Sequence, residues 1–256
     1  MNKATFAAVA ALAAALVVTP ARAGVVISQT ETATGQFGER KTDTTITIQG
    51  NKQKVIRNGR ENIVDLDAGT SYLIDSDHSS YMKLPFPPPG GAAAMAHAGA
   101  ALDFKKDSTS RKILGYSCHD YSGSGSSMGG DYTVTECFST SAPGAKEFST
   151  FQKAMAAKLK GVIPSSNIPD GIPLAMDSTV KLNTLKMPNL TPEQQQKLAA
   201  QIAKMKSVTT HTEVNKVEEK TIPADEFLPP KGFTETQVPK MGGGMPLPAP
   251  ASSPAH

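Results

Sequence analysis

The chain has 256 residues, with 26 Lys and Arg against 23 Asp and Glu, no Trp and only 5% aromatic side chains. A net charge of +3 lacks the concentrated basic surface that non-specific nucleic-acid binding needs, and so few aromatics leave no platform on which bases would stack. Such a length supports one substantial core and falls short of a second domain.

Residues 1–23 have the layout of a secretory signal peptide. Lys3 supplies the positive start, Ala4 to Val18 an apolar run, Pro20 a helix break, and Ala21-Arg22-Ala23 a small-x-small end, which predicts cleavage after Ala23. The run is too short to be read as a membrane anchor. Without Lys3 and Arg22, 24 basic residues remain against 23 acidic ones, a net charge of +1. The expected location is the periplasm or the outside of the cell.

From Val25 to Pro85 the pattern predicts an antiparallel meander. Thr42-Asp-Thr-Thr-Ile-Thr-Ile48 alternates with the period of a half-buried strand. Gly50-Asn51 and Asn58-Gly59 are tight-turn signals on either side of a strand over Lys52 to Arg57. Further strands follow at Asn62 to Asp67, Ser71 to Asp75 and Ser80 to Leu84, parted by Ala68-Gly69 and by Asp75 to His78. Turns this closely spaced mean hairpins and exclude βαβ units. A Pro/Ala-rich insertion spans 85–101, and strands resume from Phe104 to Leu114.

Cys118 and Cys137 are the whole thiol inventory. They flank a hairpin read as Tyr116 to Ser122, a Gly/Ser-rich tip from Gly123 to Gly130, and Asp131 to Ser139. A hairpin symmetric about that tip sets the two cysteines opposite each other, and in an oxidising compartment they form a disulfide. Closing the loop stabilises the fold by about 3 kcal/mol on the chain-entropy view.

Ser141 to Gly161 reads as a helix, with Ser141 as cap, Pro143 in the first turn and Gly161 at the end. Phe148, Phe151, Met155 and Leu159 form its apolar stripe. Thr191-Pro-Glu-Gln194 opens a second helix as a capping box, with Leu198, Ile202 and Met205 as stripe. Between the helices Gly171 to Leu182 alternates as a strand, and Ser207 to Glu218 is its expected antiparallel partner. Beyond Met241, Gly, Pro, Ala and Ser prevail, so 240–256 is expected to form a disordered tail. Two stripes and one meander predict an α+β fold: a curved antiparallel sheet, a half-barrel, with helices packed on one face. The expected organisation is a signal peptide at 1–23, one domain at 24–239 and the tail.

Three segments occur in order: Gly115-Tyr-Ser-Cys-His-Asp-Tyr121, Gly171-Ile-Pro-Leu-Ala-Met176, and Ile222-Pro-Ala-Asp-Glu-Phe-Leu-Pro-Pro-Lys-Gly-Phe233. Together they resemble the landmarks of an exported bacterial family of unknown function, related to the lipoprotein carriers and sorting factors of the LolA/LppX-like fold. The resemblance covers most of residues 42–236. The insertion at 85–101 and the tail depart from it. It implies a curved sheet wrapping helices around an apolar cavity that holds acyl chains. A shared fold does not by itself transfer that job.

No coherent catalytic set emerges. Gly125-Ser-Ser127-Met-Gly129 matches the G-x-S-x-G pattern, but lies in a hairpin tip where a nucleophile elbow needs a strand-to-helix turn. The five histidines form no ligand pair, and the Met95/His97 and Met241/Met245 groupings are the nearest approach to soft copper ligands. Asp65, Asp67, Asp75 and Asp77 lack the Gly and Glu of a calcium loop and read as turn formers. No metal, cofactor or catalytic residue is assigned. Phe148, Phe151, Met155, Leu198 and Ile202 are the candidates for lining an apolar site between sheet and helices, against the plain alternative that they fill a core. The expectation is a non-catalytic periplasmic protein whose partner is a lipid or lipoprotein acyl chain. An envelope protein–protein module without a ligand is the alternative, and Met/His metal binding is a minor one.

Overall fold

The computed structural model describes residues 23–36, 38–88, 104–127, 130–159, 168–182, 191, 193–197, 200 and 207–237. The expected signal peptide up to residue 22, most of the insertion, the stripe of Leu198, Ile202 and Met205, and the tail lie outside them.

Twelve strands form one sheet among the described residues. The meander is β1 (Gly24–Gly35), β2 (Gly38–Gln49), β3 (Lys52–Arg57), β4 (Arg60–Asp65), β5 (Thr70–Asp75) and β6 (Ser80–Pro85). Then come β7 (Lys105–Ile113), β8 (Tyr116–Ser127) and β9 (Gly130–Ser139). After a helix follow β10 (Ile172–Leu182), β11 (Val208–Lys220) and β12 (Thr234–Thr236). The order is β12-β6-β5-β4-β3-β2-β1-β11-β10-β9-β8-β7, so the sheet is unclosed and β7 and β12 form its edges. All pairings are antiparallel except that of β12 with β6. Register shifts at Ser28/Gln29, Lys106/Ser110 and Pro173/Ala175 bend the strands and curve the sheet. Asn58 and Gly59 have φ of 51° and 74°, the left-handed pair a type I′ turn needs. As expected, β10 and β11 are antiparallel neighbours.

Helix α1 (Ala145–Lys158) begins later than its sequence predicts. Its N-cap is Gly144, at φ 71°, with no side-chain cap. Tertiary contact decides this. A Cβ on Gly144 would lie 2.5 Å from the Cβ of Val25, and its N–H donates to the Glu219 carboxylate at 3.1 Å. The Ser141 hydroxyl sits 3.2 Å from that of Ser139 and caps nothing. The second capping box is present: Thr191 N–H donates to Gln194 Oε1 at 2.9 Å, and Gln194 N–H to Thr191 Oγ1 at 3.3 Å. Residues 193–197 are helical.

Helix α1 packs on one face of the sheet, as expected, and the other face is covered as well. Val25, Ile27, Ile48 and Val64 join Phe148 and Phe151 of α1, Ile172, Leu174 and Val214 in the main core. Their strand neighbours Val26 and Ile63 point the other way, because successive residues of a strand alternate. Those two meet Ile74, Ile222, Phe227 and Phe233 in a second core. That second layer is the segment after β11, whose single 3-10 turn (Ala224–Phe227) drives Phe227 into full burial.

Cys118 and Cys137 are bonded, with Cα atoms 5.3 Å apart. Their register differs from the symmetric reading. Strand pairing continues to Ser127 and Gly130, so Asp120 stands opposite Cys137 and the bridge runs diagonally. Gly and Ser are poor strand formers, which hid this extension.

A candidate ligand pocket between β9, β10 and α1

Val134, Glu136 and Phe138 occupy alternate positions of β9 and therefore share a face. Helix α1 crosses it with Phe148, Gln152, Met155 and Ala156, a spacing that aligns them on one side of the helix. Pro173 of β10 and the adjoining Ile168 and Pro169 form a third wall, and Phe104 a fourth. These residues line a partly open pocket of about 220 Å³, whose lining is almost wholly apolar.

The walls are pinned from outside. Phe138 packs edge-on against Phe104 (ring centroids 6.1 Å apart) and Tyr121 (5.6 Å). Gly171 N–H donates to Ser149 Oγ at 2.7 Å, and Lys153 Nζ donates to Asp170 at 2.6 Å, which tie the entry of β10 to α1. Gly171 has φ of 112°, and a Cβ there would run into the Ser139 carbonyl. Glu147, on the far side of the helix, accepts the Gly50 N–H and anchors α1 to the β2–β3 turn.

One carboxyl group breaks the apolar lining. Glu136 is largely buried, and that burial pushes its carboxyl up to about 7. Among the described residues it has no hydrogen-bond or ion-pair partner.

Of the residues singled out by sequence, Phe148 and Met155 line the pocket. Phe151 is fully buried in the main core and is not part of the lining. Leu198 and Ile202 lie outside the described residues. The helical stripe did not reveal Glu136, Phe138 or Pro173, although the alternation Val134, Glu136, Phe138 already sets a carboxylate on an apolar strand face.

Elsewhere the described polar groups serve structure. Asp65 accepts the N–H groups of Asp67 and Ala68, and Asp75 that of His78, so these acids form turns. Ser127 ends β8 and pairs with Gly130 of β9, a strand-to-strand setting rather than an elbow. No three His, Cys, Asp or Glu among the described residues gather as metal ligands. On the other face of the sheet, β7, β8, β10 and β11 carry Arg111–Asp120 at 3.1 Å and His211–Asp177 at 2.6 Å. The Asp177 hydrogen bond holds His211 above the usual histidine range.

The chain matches no family model, and comparison with curated proteins gives no match. Among solved structures it is similar to PNGF-II, at 11% identity and a TM-score of 0.41, over 84% of this chain and 31% of that one. The chain thus spans about a third of the length of PNGF-II. It is also similar to a LolA superfamily protein from Nitrosomonas europaea (8%, TM-score 0.33, 82% of this chain and 91% of that). A third is lipoprotein LppX from Mycobacterium tuberculosis (9%, TM-score 0.32, 78% and 87%). These are distant likenesses. The sheet is open, with β7 and β12 at its edges, and α1 packs across it. Among the described residues, no helix is long and apolar enough to cross a membrane.

Proposed function

We propose that this chain is an exported, non-catalytic protein that binds a small apolar ligand, or the end of one acyl chain, in the pocket between β9, β10 and α1. The carrying observation is the apolar lining of a walled space between sheet and helix, where, among the described residues, no side chain fills the room bounded by Phe104, Phe138, Phe148, Met155 and Pro173. Its volume sets the ligand's size. About 220 Å³ exceeds the ~150 Å³ engineered cavity that accepts benzene and falls below the ~300–1,000 Å³ of sites for drug-sized ligands. The disulfide fits an oxidising compartment and the signal-like leader supports export.

Displacement of a fluorescent apolar probe by medium-chain alkyl compounds tests the reading. Saturable binding, lost in Met155→Trp, is expected. Absence of binding by the wild-type chain, or binding unaltered by the pocket-filling substitution in a variant that retains its melting temperature, overturns it. Native mass spectrometry of protein purified from its own compartment gives an independent check.

A further inference from the structure

We infer that the pocket selects amphiphiles bearing a protonated amine, with Glu136 receiving the cationic head while the alkyl part lies against Phe104, Phe138, Phe148 and Met155. The inference rests on the apolar-ligand reading above and specifies the ligand's polar end.

Three observations carry it. Glu136 belongs to the pocket lining and is the ionisable residue in it. Among the described residues it lacks any partner, whereas the other largely covered carboxylates are paired: Asp120 with Arg111, Glu61 with Lys54 at 3.0 Å, and Glu147 with the Gly50 N–H. A carboxylate removed from water and left without a partner costs stability, and a ligand donor that pairs it recovers the cost. The other polar lining side chain is the neutral Gln152, so the lining offers a lone negative charge to the head group. A carboxylate-headed ligand would meet like charge there, and an alcohol would forgo the charge-assisted bond.

The surrounding titratable groups leave the charge logic intact. On β8, Tyr121 stands opposite Glu136 and His119 opposite Phe138; on β10 the facing residue is the neutral Met176. Tyr132 lies further along β9, and burial raises its phenol further, keeping it neutral. Beyond Pro169 the Lys153–Asp170 pair is mutually neutralised.

The test compares octylamine, octan-1-ol and octanoate on the full chain by calorimetry, in the wild type and in Glu136→Gln. Expected is a preference for octylamine over octan-1-ol on the order of tenfold or more at pH 8, reduced to near parity in E136Q. Because Glu136 takes up a proton near pH 7, octylamine affinity should fall below that point in the wild type until it levels near that of octan-1-ol, and stay flat in E136Q. Equal affinities for the three compounds, or a preference that survives in E136Q, overturn the inference and leave the apolar pocket standing. If none of the three binds, the pocket reading itself fails. Glu136→Asp, which keeps the charge, should retain part of the amine preference and so separates charge from misfolding.

Discussion

The two sides of the sheet are covered in different ways, and the difference locates the site. Behind β3 to β6, one 3-10 turn inserts Phe227 among Ile63, Ile74 and Ile222, and the space is filled. Its partly buried cation Lys54 is held by Glu61 at 3.0 Å and Glu226 at 3.1 Å. Across β9 and β10, α1 meets the sheet through Ala145, Phe148, Phe151 and their neighbours. Beside Phe138 the pocket lies between helix and sheet, and among the described residues Glu136 in its lining has no partner. A filled wing with paired charges is a structural solution. An unfilled one with a bare carboxyl is destabilised by its own lining, as binding sites commonly are.

Substitutions can break this contrast. Phe227→Ala should cost about 4 kcal/mol in urea unfolding, since it opens a cavity in a filled core. Met155→Ala, beside an existing void, should cost less than about 2 kcal/mol; equal costs would erase the distinction between the wings.

Glu136 supplies the next effect, and its sign is opposite to that of most carboxylates. Its folded value lies above the ordinary one, so the folded state binds the extra proton between about 4.5 and 7, and stability falls as pH rises through that window. Glu136→Gln should therefore raise the melting temperature at pH 8, by up to about 3 kcal/mol in free energy, and leave it unchanged at pH 4. A uniform shift at both pH values would show that burial of the charge is not the cause.

Gly144→Ala should cost about 2 kcal/mol, from left-handed backbone and the clash with Val25, measured by the same unfolding series. The smallest effect belongs to the half-exposed His211–Asp177 pair. His211 is held above its ordinary value, so its contribution is present below about 6.5 and fades as pH rises through the folded value. His211→Asn should lower stability by a few tenths of a kcal/mol at pH 6 and by nothing measurable at pH 9.

Local patterns were readable because local physics fixes them. Asn58-Gly59 needed only its own φ preferences to set the β3–β4 turn, and Thr191 with Gln194 closed a capping box without help from elsewhere. What depended on distant residues was not readable. The start of α1 moved from Ser141 to Gly144 because Val25 and Glu219 meet it there. The β8–β9 register is shifted by two residues from the symmetric pairing because weak strand formers still pair as far as Ser127 and Gly130. Phe227 was visible in a motif, but its burial under Ile63 and Ile74 depends on where the segment after β11 docks. For the pocket, the helical half of the lining was legible in Phe148 and Met155. The strand half, Glu136 and Phe138, required knowing that β9 turns that face toward α1.

The pairing of Gly24 with Lys220 has a bearing on biogenesis. Strand β1 lies in mid-sheet, and one of its flanks waits for β11, the eleventh strand to be made. A chain threaded across a membrane from its amino end would display that flank, rows of free amide and carbonyl groups beside Val25 and Ile27, until almost all of it had arrived. Assembly is then slow for topological reasons, and a holding factor that shields an incomplete sheet would raise the yield of folded protein.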